Sequence, residues 1–162
     1  MTTTTKGTAK VTLPADNQIL ITREFAAPAG KVWRAYTTPE LIKQWWAGQR
    51  GTVTSAEVDL RVGGRWRYVM DAGGAEVSFR GEYRELEEPV RLVNTEIYEG
   101  LPDPDDHGSL ITVTFTERDG RTAVRMLCEY RDQADRDAVV ASGMEGGMQE
   151  SMDALDEVAA AL

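Results

Sequence analysis

A chain of 162 residues is long enough for one domain with a real core and too short for two of ordinary size. Its 41% hydrophobic and 28% charged residues sit near ordinary globular values, and no apolar run approaches the ~18 residues of a membrane span. The formal net charge of −9 repels a phosphate backbone, which sets aside nucleic acid and anionic membranes as partners; a lone cysteine, Cys128, excludes an intramolecular disulfide.

Residues 1–17 open with MTTTTKGTAKVTLPA, which has no apolar stretch of the secretory type. They are expected to form a loose, flexible N-terminal extension, and the protein is expected in the cytoplasm. A single domain is expected over 18–162. Its first strand runs from Gln18 to Ala27, with Ile19, Ile21 and Phe25 on one alternation. Pro28 stops that strand and suits the first turn of a helix, in which Val32, Trp33 and Tyr36 recur at helical spacing. Thr38 as N-cap and Pro39 at the next position start a second short helix, whose stripe is Leu41, Ile42, Trp45 and Trp46.

From Val53 to Tyr130 the pattern is β throughout, with turn signals at hairpin intervals, so the sheet is predicted to be antiparallel. Ala56, Val58, Leu60 and Val62 alternate against Glu57, Asp59 and Arg61, and a Gly63-Gly64 turn follows. Trp66, Tyr68 and Met70 then alternate against Arg65 and Arg67, the arginines on a polar face offset by Glu57 and Asp59. After Gly73-Gly74, Val77, Phe79, Gly81 and Tyr83 oppose Glu76, Ser78, Arg80 and Glu82. In the next strand Asn94, Glu96 and Tyr98 share one side and Val93, Thr95 and Ile97 the other. An inward Glu96 would be a buried carboxyl of functional interest; the reading preferred here turns it outward and packs Val93, Thr95 and Ile97. The loop from Gly100 to Gly108 holds His107, the only histidine, read as a surface residue without convergent partners. Ile111, Val113 and Phe115 line the inner side of the following strand, and Cys128, in step with Val124 and Met126 on the last one, reads as a buried structural thiol.

The period then changes. Met144, Met148, Met152, Leu155, Ala159 and Leu162 mark one face of a long helix, with Glu145, Gln149, Asp153, Asp156 and Glu157 on other faces. Residues 135–141 are also helical in composition, and whether they join the last helix across Ser142-Gly143 is left open. Gly143, Gly147 and Ser151 form a strip of small residues beside the methionines, which either admits a close neighbour or faces empty space.

This order leaves a broad sheet covered chiefly by one helix. A helix is ~10–12 Å across, whereas seven strands at ~4.8 Å spacing are far wider unless the sheet curls. Gly63, Gly64 and Gly81 are where bends are expected, and a hollow between helix and sheet follows.

Four segments, ITREFAAPAGKVWRAYTTPELIKQWW at 21–46 with the preceding Ile19-Leu20, VGGRWRY at 62–68, FRGEYRELEEPVRLVNTE at 79–96 and RDAVVASGMEGGMQESMDALDEV at 136–158, occur in an order that resembles the START-like, SRPBCC superfamily. Within it they resemble the branch named after the C-terminal domain of the heat-shock-protein-90 ATPase activator. The resemblance implies an α+β helix-grip fold of the Bet v 1-like kind, with about seven strands around a long C-terminal helix and an interior cavity. It also implies small hydrophobic ligands in many members and no shared catalytic set. The expected function is noncatalytic binding of a small, largely hydrophobic molecule, a lipid among the candidates. A cyclase, aromatase or hydrolase in the same cavity, and a module contacting a chaperone or a second copy of itself, are the alternatives. Candidate ligand-binding residues are Trp46, Trp66, Tyr68, Phe79, Tyr83, Val113, Met126, Met144, Met148 and Met152, with Glu96 and Tyr98 as polar cavity groups. No catalytic residue, metal or cofactor is expected, since phosphate-loop, nucleophile-elbow and paired-cysteine motifs are all missing.

Overall fold

The computed structural model describes residues 8–162 and the backbone of 3–5. Among the described residues, nine strands form one antiparallel, curled sheet. In chain order they are β1 (Thr3–Thr5), β2 (Lys10–Thr12), β3 (Gln18–Phe25), β4 (Thr52–Val58), β5 (Arg65–Ala72), β6 (Ala75–Glu87), β7 (Arg91–Tyr98), β8 (Ser109–Arg118) and β9 (Arg121–Glu129). The spatial order is β1-β2-β3-β9-β8-β7-β6-β5-β4, so the first long strand closes against the last and the rest is a meander. Seven of these are the expected strands. Hairpin turns fall where the glycines require positive φ: Gly73 (65°) with Gly74 (95°), and Asp119 (54°) with Gly120 (75°).

Two short helices, α1 (Ala29–Thr37) and α2 (Pro39–Trp45), follow β3. The N-terminus of α1 is capped from a distance, because the Ala29 N–H donates to Glu117 Oε1 at 2.8 Å and sets a carboxylate on the positive end of the helix. In α2, Pro39 occupies the first turn and Thr38 holds the extended cap position without a side-chain bond. The helix pair is fastened by Trp45, whose indole N–H donates to the Ala35 carbonyl at 2.8 Å and whose ring stacks on Tyr36 at 5.6 Å.

The C-terminal segment is two helices, α3 (Gln133–Ala141) and α4 (Met144–Ala160), separated by Gly143 at φ 81°. The question left open by the sequence thus resolves as a break: a left-handed residue ends the first helix, as glycine does at no Cβ cost. Helix α4 packs beside α1 and α2 and closes the core with Met152, Leu155 and Ala159 against Ile19, Phe25, Ile42 and Leu92.

Several expectations are corrected. The loose lead-in expected over 1–17 holds no such character from residue 8 onward; residues 1, 2, 6 and 7 lie outside the described set. Lys10–Thr12 pair with β3, and Ala9 is fully buried. The cause is Gln149, expected on a polar face of α4 but 6% exposed, whose side chain accepts from the Ala9 N–H (3.1 Å) and donates to its carbonyl (2.7 Å). Arg136 adds a bond to the Ala15 carbonyl at 3.0 Å. The strand through Leu60 and Val62 stops at Val58: the chain folds back through bonds from Arg61 N–H to Asp59 and from Gly64 N–H to Arg61, leaving both side chains exposed. The preferred outward reading of Glu96 is reversed. Leu92 is buried in the core, and alternation from it carries Asn94, Glu96 and Tyr98 to the concave face.

Candidate functional site

Between the concave face of the sheet, α2 and the two C-terminal helices lies a cavity of about 620 Å³, inside the ~300–1,000 Å³ range of small-molecule pockets. It lies over β5 to β7, strands on which none of the α-helices packs closely. The strands there are bent by register shifts at Val53/Ser55 and Tyr83/Glu85.

One wall is aromatic. Trp46, at the end of α2, meets Tyr68 and Phe79 edge to face at 5.4 and 5.6 Å. Trp66 leans on Tyr68 at 4.6 Å, and Phe79 on Tyr98 at 5.0 Å. These pairs follow from sheet register, since Tyr68 sits opposite Phe79, and Phe79 opposite Tyr98. The facing wall is soft: Met144, Met148 and Met152 project from α4, and Met126 from β9 closes the end. Leu101 and Tyr98 line the cavity while remaining partly exposed, so they stand at its mouth.

The floor is polar. Burial and then the neighbouring Tyr83 raise the Tyr68 hydroxyl well above its ordinary range, while burial pushes Tyr83 up to about 12. Glu96 stands among Tyr36, Tyr68, Tyr130 and Cys128, and desolvation pushes its carboxyl up to about 7. Burial likewise raises the Tyr36, Tyr130 and Cys128 hydroxyls and thiol, so Glu96 is the group of this cluster that titrates near neutrality. At another edge, His107 Nδ1 lies 3.0 Å from Asp135 Oδ1, joining the turn Pro104–His107 to α3 at the cavity lining. Among the described residues, no three histidine, cysteine, aspartate or glutamate side chains converge as a metal site.

Residues 26–160 match the model of the family described as activator of Hsp90 ATPase homolog 1-like protein. The chain belongs to that family. A crystal structure of a Rhodobacter sphaeroides protein is 28% identical and superposes at a TM-score of 0.86, covering 95% of this chain and 99% of its own. A Mycobacterium smegmatis protein is 26% identical at a TM-score of 0.82, with 97% and 96% covered. An AHSA1-like protein from Aeromonas hydrophila is 25% identical at 0.66, with 88% and 92% covered. Among curated proteins, none matches the chain. No helix among the described residues is long and apolar enough to cross a membrane.

In this family member, eleven of the twelve expected side chains line one cavity; the exception is Val113. It lies between Leu92 and Met126, which do line the cavity, but its own side chain is completely buried in the core. Residues missed by the sequence reading are Tyr36, Trp45, Asn94, Tyr130 and the His107–Asp135 pair. Tyr130 extends the Met126, Cys128 alternation and was legible from it; His107 was not, because only the fold brings α3 to its loop. The small-residue strip proves to be a close approach at Gly147 and Ser151, whereas a Cβ on Gly143 would meet nothing. A Cβ on Gly147 would fall 2.5 Å from Arg50 Nη1, and the Ser151 hydroxyl donates to the Trp46 carbonyl at 2.7 Å.

Proposed function

We propose that this protein binds a small, largely apolar molecule in the cavity and releases it unchanged. The carrying observation is the pairing of a rigid aromatic wall, Trp46, Tyr68 and Phe79, with a flexible methionine wall on α4 across about 620 Å³. Aromatic faces give area at little entropic cost and methionines adapt to the shape opposite, which together suit a flat or irregular apolar guest. A screen of lipids and aromatic polyketide-like compounds by native mass spectrometry and thermal shift tests it. The expected result is a 1:1 complex, with stabilisation of about 2.7 kcal/mol at a hundredfold excess over Kd. Failure of every compound to bind, or binding left unchanged by Trp46→Ala, overturns the reading.

A second reading is that the bound molecule is transformed, and the Tyr68 and Tyr83 hydroxyls together with the His107–Asp135 pair favour it as proton donors and acceptors on the wall. It requires a change of mass or of isomer in a compound incubated with the protein. Recovery of every bound compound intact removes it.

A further inference from the structure

Strand β7 presents two acceptors to the cavity. Asn94 and Glu96 stand two residues apart on its concave face. The Asn94 amide nitrogen donates to the Thr95 carbonyl at 2.9 Å, which leaves Oδ1 as the atom facing the cavity. Asn94 is 6% exposed, and its Oδ1 has no partner among the described residues. Glu96 lies deep in the fold yet is only half-buried, because the cavity borders it. No hydrogen bond or ion pair reaches its carboxyl among the described residues, and its oxygens are not sealed in protein.

What this carboxylate lacks is a cation. Among the described residues Arg50 is the one lysine or arginine on the cavity wall, and it is exposed, with its guanidinium against Gly147 of α4. His107 is engaged by Asp135 at 3.0 Å. Neither offsets Glu96, on which desolvation is the one strong influence. The other titratable groups around it are Tyr36 of α1, Tyr68 of β5, Tyr83 of β6, and Cys128 and Tyr130 at the end of β9, all kept neutral by burial; α4 brings methionines. An ionised carboxylate without a counter-charge is the costly state in such surroundings. A neutral donor supplies a hydrogen bond and leaves the charge, whereas a cation supplies both.

We propose that Glu96 is the counter-ion for an organic cation: a protonated amine on an apolar body, its ammonium at the Glu96 carboxylate with Asn94 Oδ1 as a second acceptor. An ammonium has three donors and no acceptor, which matches a patch made of acceptors. A carboxylate ligand would meet Glu96 charge to charge, and an ether or ketone brings no donor. The inference rests on the ligand-binding reading above and adds the class of the ligand. Without ligand Glu96 holds its proton up to about pH 7, so a cation that needs the carboxylate displaces that proton. Binding therefore weakens by about tenfold from pH 8 to pH 6, where about 0.9 of a proton is released. An alkylammonium keeps its own proton over that range, since such groups titrate near ~10.

Calorimetric titration of the full chain tests this with 2-(1-naphthyl)ethylamine against 2-(1-naphthyl)ethanol, and decylamine against decan-1-ol, at pH 8 and pH 6 in two buffers of different ionisation enthalpy. The amine of a pair that binds is expected to be at least tenfold tighter than its alcohol at pH 8, and to show the proton release and the weakening at pH 6. In Glu96→Gln the advantage should fall below threefold and the proton release should disappear. General attraction of a cation to a chain of net charge −9, and any titration of His107, survive that substitution and are thereby told apart. The proton count of the parent still decides should the variant fail to fold. No advantage over the alcohol, an advantage without proton release, or one that persists in the folded variant overturns the cation site while leaving the apolar cavity intact. Binding by no member of either pair counts against the ligand-binding reading itself and takes this inference with it.

Discussion

Replacing Glu96 by Gln is expected to stabilise the protein, by an amount that depends on pH. Glu96 has an ordinary value of 4.5 when exposed and is pushed up to about 7 by desolvation in the folded chain. The folded state thus holds the proton more tightly, so native stability falls as pH rises from about 4.5 and the loss is complete above about 7. At 1.36 kcal/mol per tenfold change, this carboxylate costs at most ~3 kcal/mol at pH 8, and on the order of 2 kcal/mol allowing for solvent that reaches the cavity. Gln has the shape of the protonated acid and never ionises. The facing groups do not obscure the comparison, because burial raises Tyr36, Tyr68, Tyr130 and Cys128 and holds Tyr83 near 12. His107 and Asp135, at the cavity's other edge, are common to both proteins and cancel in the difference. Urea unfolding from pH 4.5 to 8.5 reads the effect: the midpoint of the variant should match the parent at pH 4.5 and exceed it by about 1 M at pH 8, for a slope near ~2 kcal/mol/M. A difference that does not change with pH, or a variant less stable at pH 8, would mean that the carboxylate is paired and that the desolvation account is wrong.

Gly81→Ala should lose about 2 kcal/mol through overpacking against the Thr95 carbonyl and Trp66, lowering Tm by roughly 4–8 °C in a calorimetric scan. Gly147→Ala meets only the mobile end of Arg50, so the guanidinium should swing aside and the gain in helix propensity, up to ~1 kcal/mol, should leave Tm unchanged or higher. Gln149→Leu strips both partners from the buried Ala9 backbone and is expected to cost ~2–3 kcal/mol, with faster amide exchange at Ala9 and Val11 as the local signature.

The elements of this fold were legible because each rests on short-range chemistry: alternation in β5, β6 and β8, a proline and helical stripe for α2, and glycines where hairpins need positive φ. The cavity walls followed from the same alternation, which is why Trp66, Tyr68, Phe79 and Tyr83 share a face. What the sequence hid was long-range. Nothing near Ala9 announces that Gln149, 140 positions later, will hold it, and nothing near His107 points to Asp135. The inward turn of Glu96 was hidden for a different reason. A rule that puts polar residues outside assumes that the inside is full, and here it is open.

That openness constrains the kind of guest. A dry void of about 620 Å³ at ~24 cal/mol per Å³ would cost about 15 kcal/mol, as much as the entire stability of an ordinary domain. The space is therefore tolerable only where its wall can hold water in the absence of ligand, and Asn94, Glu96, Ser109 and Tyr83 on one side supply that capacity. Trp46, Phe79 and the α4 methionines on the other side cannot. A guest that displaces this water without loss must present a polar edge to the first set and an apolar body to the second; a pure hydrocarbon leaves the carboxyl unsatisfied. The glutamate that makes the hollow affordable when empty is, on this reasoning, the same group that decides which apolar molecules are kept.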